Sequence, residues 1–90
     1  MESFGIAAFR SRQAVLRFDD QMRRAGLITH IITTPRAVSM GCGLSVRFEL
    51  HETPQVMAVF RRLNPGALIG FYRVDDYGTR QIRLTPLRTD

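Results

Sequence analysis

The chain has 90 residues, 44% of them hydrophobic and 23% charged, with a formal charge of +5. That fits one folded domain with one modest core and argues against disorder. Every one of the 13 basic residues is arginine, which excludes lysine Schiff bases, P-loop lysines and lysine general bases. No apolar run approaches the ~20 residues of a membrane span, and the N-terminus lacks a signal-peptide pattern. Cys42 is the only cysteine, so no internal disulfide and no cysteine-rich zinc site can form. A lone free thiol fits a reducing compartment, and a cytoplasmic location is expected.

In chain order, "SFGIAAF" (3–9) reads as a strand, nearly continuous in apolar character, as in a central strand covered on its faces. Ser11 reads as a helix N-cap. Ala14, Val15, Phe18, Met22 and Ala25 then form a helical stripe, and Gly26 is a helix-terminating residue. "LITHIIT" (27–33) is β-branched and predicts a second strand, which Pro35 ends. A loop follows, with a short helical turn expected at Val38 and Ser39 expected to face the thiol. "LSVRFEL" (44–50) alternates, with Leu44, Val46, Phe48 and Leu50 on one face. Thr53 is expected to cap a second helix with Pro54 at its first position, and Val56, Met57, Val59, Phe60 and Leu63 supply the buried stripe. "NPG" breaks the chain, "ALIGFYRV" (67–74) predicts a fourth strand, "DDYGTR" reads as a turn, and "QIRLTPL" as a short edge strand carrying Pro86.

This order is β-α-β-β-α-β with an optional fifth strand, the ferredoxin-like α+β pattern: an antiparallel sheet with both helices on one face. One domain is expected over 1–90, with its core in 3–74 and an extension over 75–90. The first and third strands should be central. The loop carrying Cys42 is expected at a rim of the sheet, just ahead of the third strand, at the end opposite to where the first and third strands deliver their helices.

The chemistry concentrates in "TTPRAVSMGCGLSVRF" (33–48). A thiolate is the reactive form of cysteine, and nearby positive charge raises its fraction. Arg36 and Arg47 flank Cys42 in sequence and are candidates for that charge. Gly41 and Gly43 leave the backbone free and unhindered on both sides of the thiol, and successive N–H groups in such a turn can form an anion nest. On the same residues alone, Cys42 also reads as a small buried hydrophobe in a tight turn.

"TPRAVSMGCGLSVRF", with Phe9, Ser11 and Ala14 upstream, resembles a family of small bacterial domains, the selenium/sulfur carrier protein-like family. The resemblance spans about residues 4–74. It implies that Cys42 carries sulfur as a persulfide, or selenium as the analogous selenyl sulfide. The atom would come from a donor such as a cysteine desulfurase and pass to an acceptor protein. It further implies that Arg36 and Arg47 hold the thiol ionised or steer a partner, that Ser39 donates to the carried atom, and that Gly41 and Gly43 keep the loop open. The chain lacks the C-P-x-P motif of other sulfur-transfer proteins, so its thiol must be activated differently.

Other readings are weaker. His30 and His51 sit on separate elements, so no metal site and no cofactor is expected. The pairs Asp19–Asp20 and Asp75–Asp76 read as solvated surface. The RNA-recognition pattern of exposed aromatics on central strands is missing, so nucleic acid is not expected as a partner. The expectation is a carrier and not a turnover enzyme. The alternative is a homo-oligomeric interaction or ligand-binding module with a structural cysteine, its open sheet face covered by a second chain.

Overall fold

The structure, a computed structural model, describes residues 1–38, 43–79 and 81–89. It contains β1 (Glu2–Phe9), α1 (Arg12–Arg24), β2 (Thr29–Thr33), β3 (Leu44–Phe48), a 3-10 turn (Leu50–Glu52), α2 (Thr53–Leu63), β4 (Leu68–Gly78) and β5 (Gln81–Leu87). The strands form one sheet in the order β2-β3-β1-β4-β5, and every neighbouring pair is antiparallel. The expected α+β class, antiparallel sheet and two helices are present, with β1 and β3 inside the sheet. The sheet has five strands and not the four of a plain ferredoxin-like fold, because β5 extends it along the β4 edge.

Alternation along β1 sorts the core into two layers. Ala7 and Phe9 face the helices and join Val15, Phe18 and Met22 of α1, Val56, Met57 and Val59 of α2, and Val46, Phe48 and Phe71 of the sheet. Phe18 is the hub of this layer. Its ring lies 5.5 Å from Phe9, 6.1 Å from Phe60 and 6.3 Å from Phe71, in tilted or edge-on arrangements that suit ring quadrupoles. Phe4 and Ile6 point the other way and cluster with Val74, flanked by Ile32, Val38, Tyr72 and Leu84. Both faces of β1 are therefore buried within one chain, which is why its sequence is almost unbroken in apolar residues.

α1 starts at Ser11, whose hydroxyl accepts from the Ala14 N–H at 3.2 Å. It ends at Ala25 and Gly26, the latter at φ +87°, where a side chain would be strained. Leu27 still bonds back to the Met22 carbonyl at 3.0 Å, so β2 begins only at Thr29.

Three local expectations are corrected. Thr53 is the first residue of α2 and not its cap: its hydroxyl donates to the Leu50 carbonyl at 2.6 Å, and Glu52 holds the cap position. "DDYG" is strand and not turn, because Asp75 and Asp76 pair with Ser3 and Glu2 of β1 and the reversal comes after Gly78. The two aspartate pairs are only half solvated. Asp19 is buried between the Thr29 hydroxyl, which donates at 2.5 Å, and the Arg23 guanidinium at 2.9 Å. Asp75 is buried against the Ser3 hydroxyl at 2.6 Å.

Candidate functional site

β3 is antiparallel to β1, so its first residue lies opposite the last residue of β1: Leu44 pairs with Phe9. Gly43 therefore sits beside the point where β1 hands over to α1. This reverses the sequence expectation about which end of the sheet the Cys42 loop occupies. The reason is directional: a chain that leaves β1 at one end and re-enters antiparallel β3 must re-enter at that same end. Only the α2 delivery from β3 lies at the other end.

The consequence is a cavity of about 420 Å³ lined by Arg10, Arg12, Thr33, Gly43 and Leu44. Arg10 is fixed by its N–H, which donates to the Ala67 carbonyl at 2.8 Å. Arg12 is the first residue of α1, and no acidic residue occupies that first turn. The positive end of the helix dipole and two guanidinium-bearing side chains thus meet at one recess. Gly43 fits closely there: its carbonyl accepts from the Thr34 N–H at 3.0 Å, and an added Cβ would lie a tight 3.1 Å from the Thr34 hydroxyl oxygen. Beneath it, Thr34 and Ser45 share a buried hydroxyl–hydroxyl bond of 2.7 Å that ties the end of β2 to the start of β3.

Ser39, Gly41 and Cys42 lie outside the described residues. Arg36 is exposed in the turn that Val38 closes by donating to the Pro35 carbonyl at 2.9 Å. Arg47 sits fourth along β3, opposite Ile6 and His30, and is held by the Glu2 carboxylate at 3.1 Å and by the Phe4 ring, 3.8 Å below its guanidinium carbon. Arg10 and Arg12 are not among the cations close to Cys42 along the chain, so sequence proximity does not single them out. The signal that finds them is strand direction. Once β1 and β3 are antiparallel neighbours, the residues just after Phe9 must face those just before Leu44.

His30 is exposed on β2 and His51 is exposed in the 3-10 turn. Among the described residues, no three of His, Cys, Asp and Glu gather in a way that could hold a metal ion. Asp75 titrates below the ordinary carboxylate range. The Ser3 hydroxyl is the main cause, with the hydrogen bond and charge of Arg73 and the charge of Arg83 adding to it against the opposing effect of burial.

A small α+β domain with an arginine-lined recess at one rim is the class these features define. The chain belongs to the family whose model is described as "Putative Se/S carrier protein-like", which matches residues 4–65. The match runs from β1 through α2 and stops before β4. No curated protein and no solved structure matches the chain. No helix among the described residues is long and apolar enough to cross a membrane.

Proposed function

We propose that the protein is a carrier that takes one sulfur or selenium atom onto Cys42 and passes it to an acceptor protein. Family membership is the observation that supports this reading most directly. The rim geometry agrees with it, since Gly43, one peptide bond from Cys42, lines a recess with Arg10 and Arg12. In the transfer step the Cys42 thiolate attacks the outer sulfur of a donor persulfide. The donor's S–S bond breaks, a new bond to Sγ forms, and the donor leaves as its thiolate. With selenium the attack falls on the selenium of a donor selenyl sulfide, and the balance is the same. No oxidant is consumed, and the carrier is charged once per delivery without turning a substrate over. The β2-β3-β1-β4 order belongs to this reading as a ferredoxin-like core with an added strand. Arg36, Ser39 and Gly41 are assigned, with Gly43, to reception of the cargo. Arg47, held by Glu2 and Phe4, contributes to the field and not to contact.

The test is the intact mass of the protein after incubation with a cysteine desulfurase and cysteine, beside a Cys42→Ser variant. A gain of one sulfur atom that needs Cys42 and reverses on reduction is the expected result. A Cys42 that stays unmodified and resists alkylation across neutral pH would refute the carrier reading in favour of the interaction module.

A further inference from the structure

The charged residues divide between the two ends of the sheet. At the end where β1 and β2 stop and β3 and β4 begin stand Arg10, Arg12, Arg36, Arg61, Arg62 and Arg88, all exposed. No acidic residue shares that end among the described residues. Glu2, Glu49, Glu52, Asp75 and Asp76 lie at the far end, and Asp19 and Asp20 lie in the C-terminal half of α1.

Away from the rim the charges are mixed and in part paired. Glu2 and Asp75 pair with Arg47 and Arg73 at the far end, and Asp19 and Asp20 pair with Arg23 and Arg24 along α1. Among the described residues none of the six rim arginines forms an ion pair. Arg61 reaches only the neutral Thr89 carbonyl, at 3.5 Å, which leaves its charge uncompensated. Like charges crowded at one end repel, so the folded state alone gives no reason for this arrangement.

The six come from four separate segments: the junction of β1 with the first turn of α1, the β2–β3 link, the last turn of α2 and the tail after β5. That spread exceeds what a single small oxyanion can contact and suits an extended surface. The exposed aromatic Tyr77 lies at the far end, so the described rim offers no platform on which bases could stack. Resting on the carrier reading above, we propose that this rim is the docking surface for an acidic patch on the protein that donates the sulfur or selenium atom. The Arg10–Arg12–Gly43 recess gives that patch a concavity beside the thiol-bearing loop.

The test follows sulfur transfer to Cys42 from a persulfidated cysteine desulfurase, by quenched intact mass, from low to high ionic strength. The rim variant Arg12→Gln/Arg62→Gln is compared with Arg24→Gln/Arg83→Gln at the far end, which removes the same charge. The rim variant is expected to slow transfer about 3- to 10-fold at low salt. The difference should vanish near 1 M salt, where the Debye length falls to about 3 Å. The far-end variant should keep the wild-type rate and salt slope. End-point loading by inorganic polysulfide separates the two proposals. Failure of polysulfide to load Cys42 overturns the carrier reading. Polysulfide loading with desulfurase transfer that is absent, or indifferent to the rim arginines, overturns the docking surface and leaves the carrier standing. Salt-sensitive retention of an RNA oligonucleotide through the same arginines assigns the rim to nucleic acid and also overturns it. So does a salt-sensitive oligomer that the rim variant abolishes, which would assign the rim to the acidic end of a second copy.

Discussion

Replacing Thr34 by valine tests whether the root of the Cys42 loop is built as described. The Thr34 and Ser45 hydroxyls lie 2.7 Å apart, the usual length of an O–H···O bond, with Thr34 5% and Ser45 0% exposed. Thr34→Val keeps the shape and removes one hydroxyl, which strands the Ser45 hydroxyl where water cannot reach it. A buried polar group left without its partner costs about 1–3 kcal/mol. Ser45→Ala strands Thr34 in the same way and should cost a similar amount. The double variant removes both groups and loses only the net worth of the bond, about 0.5–1.5 kcal/mol. The two substitutions should therefore be non-additive, with a coupling of about 3 kcal/mol at the middle of those ranges, the upper end for bonded neighbours. Against a total stability of about 5–15 kcal/mol for a domain, each single change is easily measured. The chain has no tryptophan, so urea unfolding would be followed by far-UV circular dichroism, with the slope expected to stay constant. Additive costs would refute the reasoning, because they would mean that the two hydroxyls do not depend on each other.

A Cβ on Gly5 would overlap the Phe48 ring, which belongs to the helix-side core, so Gly5→Ala should destabilise the fold by about 1–3 kcal/mol; a thermal melt equal to wild type would contradict this packing. Asp75 has a depressed folded-state pKa, so the stability it contributes is present above the unfolded value of ~3.9 and is lost as pH falls through the folded value. Ser3→Ala removes the largest cause of that depression. It should therefore destabilise at neutral pH and lose most of that effect once pH is below both values; equal destabilisation at pH 7 and in acid would sink the assignment. At the recess, Arg10→Gln/Arg12→Gln should lower the rate of Cys42 alkylation by anionic iodoacetate relative to neutral iodoacetamide, whereas Arg47→Gln, whose charge is already engaged by Glu2 and Phe4, should lower the ratio less. The reverse pattern would restore Arg47 as the thiol's neighbour.

What could be read without the structure was what periodicity and caps encode locally. The stripe from Val15 to Met22, the Ser11 cap, the Gly26 stop and the alternation of Leu44, Val46 and Phe48 each involve residues within a turn or a strand of one another. The misses lie where a distant partner overrides the local signal. "DDYG" has turn composition, yet Ser3 and Glu2, more than 70 positions earlier, draw Asp75 and Asp76 into the ladder. Asp19 looks like a surface carboxylate until Thr29 and Arg23 close over it.

The site was legible as a segment but not as a place. Sequence neighbourhood pointed to Arg36 and Arg47, but side chains alternate along a strand, and Arg47 lies beside Phe4 and Glu2, well down β3 from Gly43. Strand direction, not sequence distance, decides which cations line the recess beside Gly43. The antiparallel β1–β3 pair delivers Arg10 and Arg12 to it, and the returning α2 and β5 bring Arg61, Arg62 and Arg88 to the same end. A net charge of +5 spread evenly would carry little information about a partner. Sorted by the topology into a rim whose arginines form no ion pair among the described residues and a far end that holds the acidic residues of the sheet, the same charge gives the molecule an orientation toward anything acidic that approaches it. On the carrier function proposed above, that orientation would turn toward the donor the end to which Gly43, next to Cys42 in sequence, belongs.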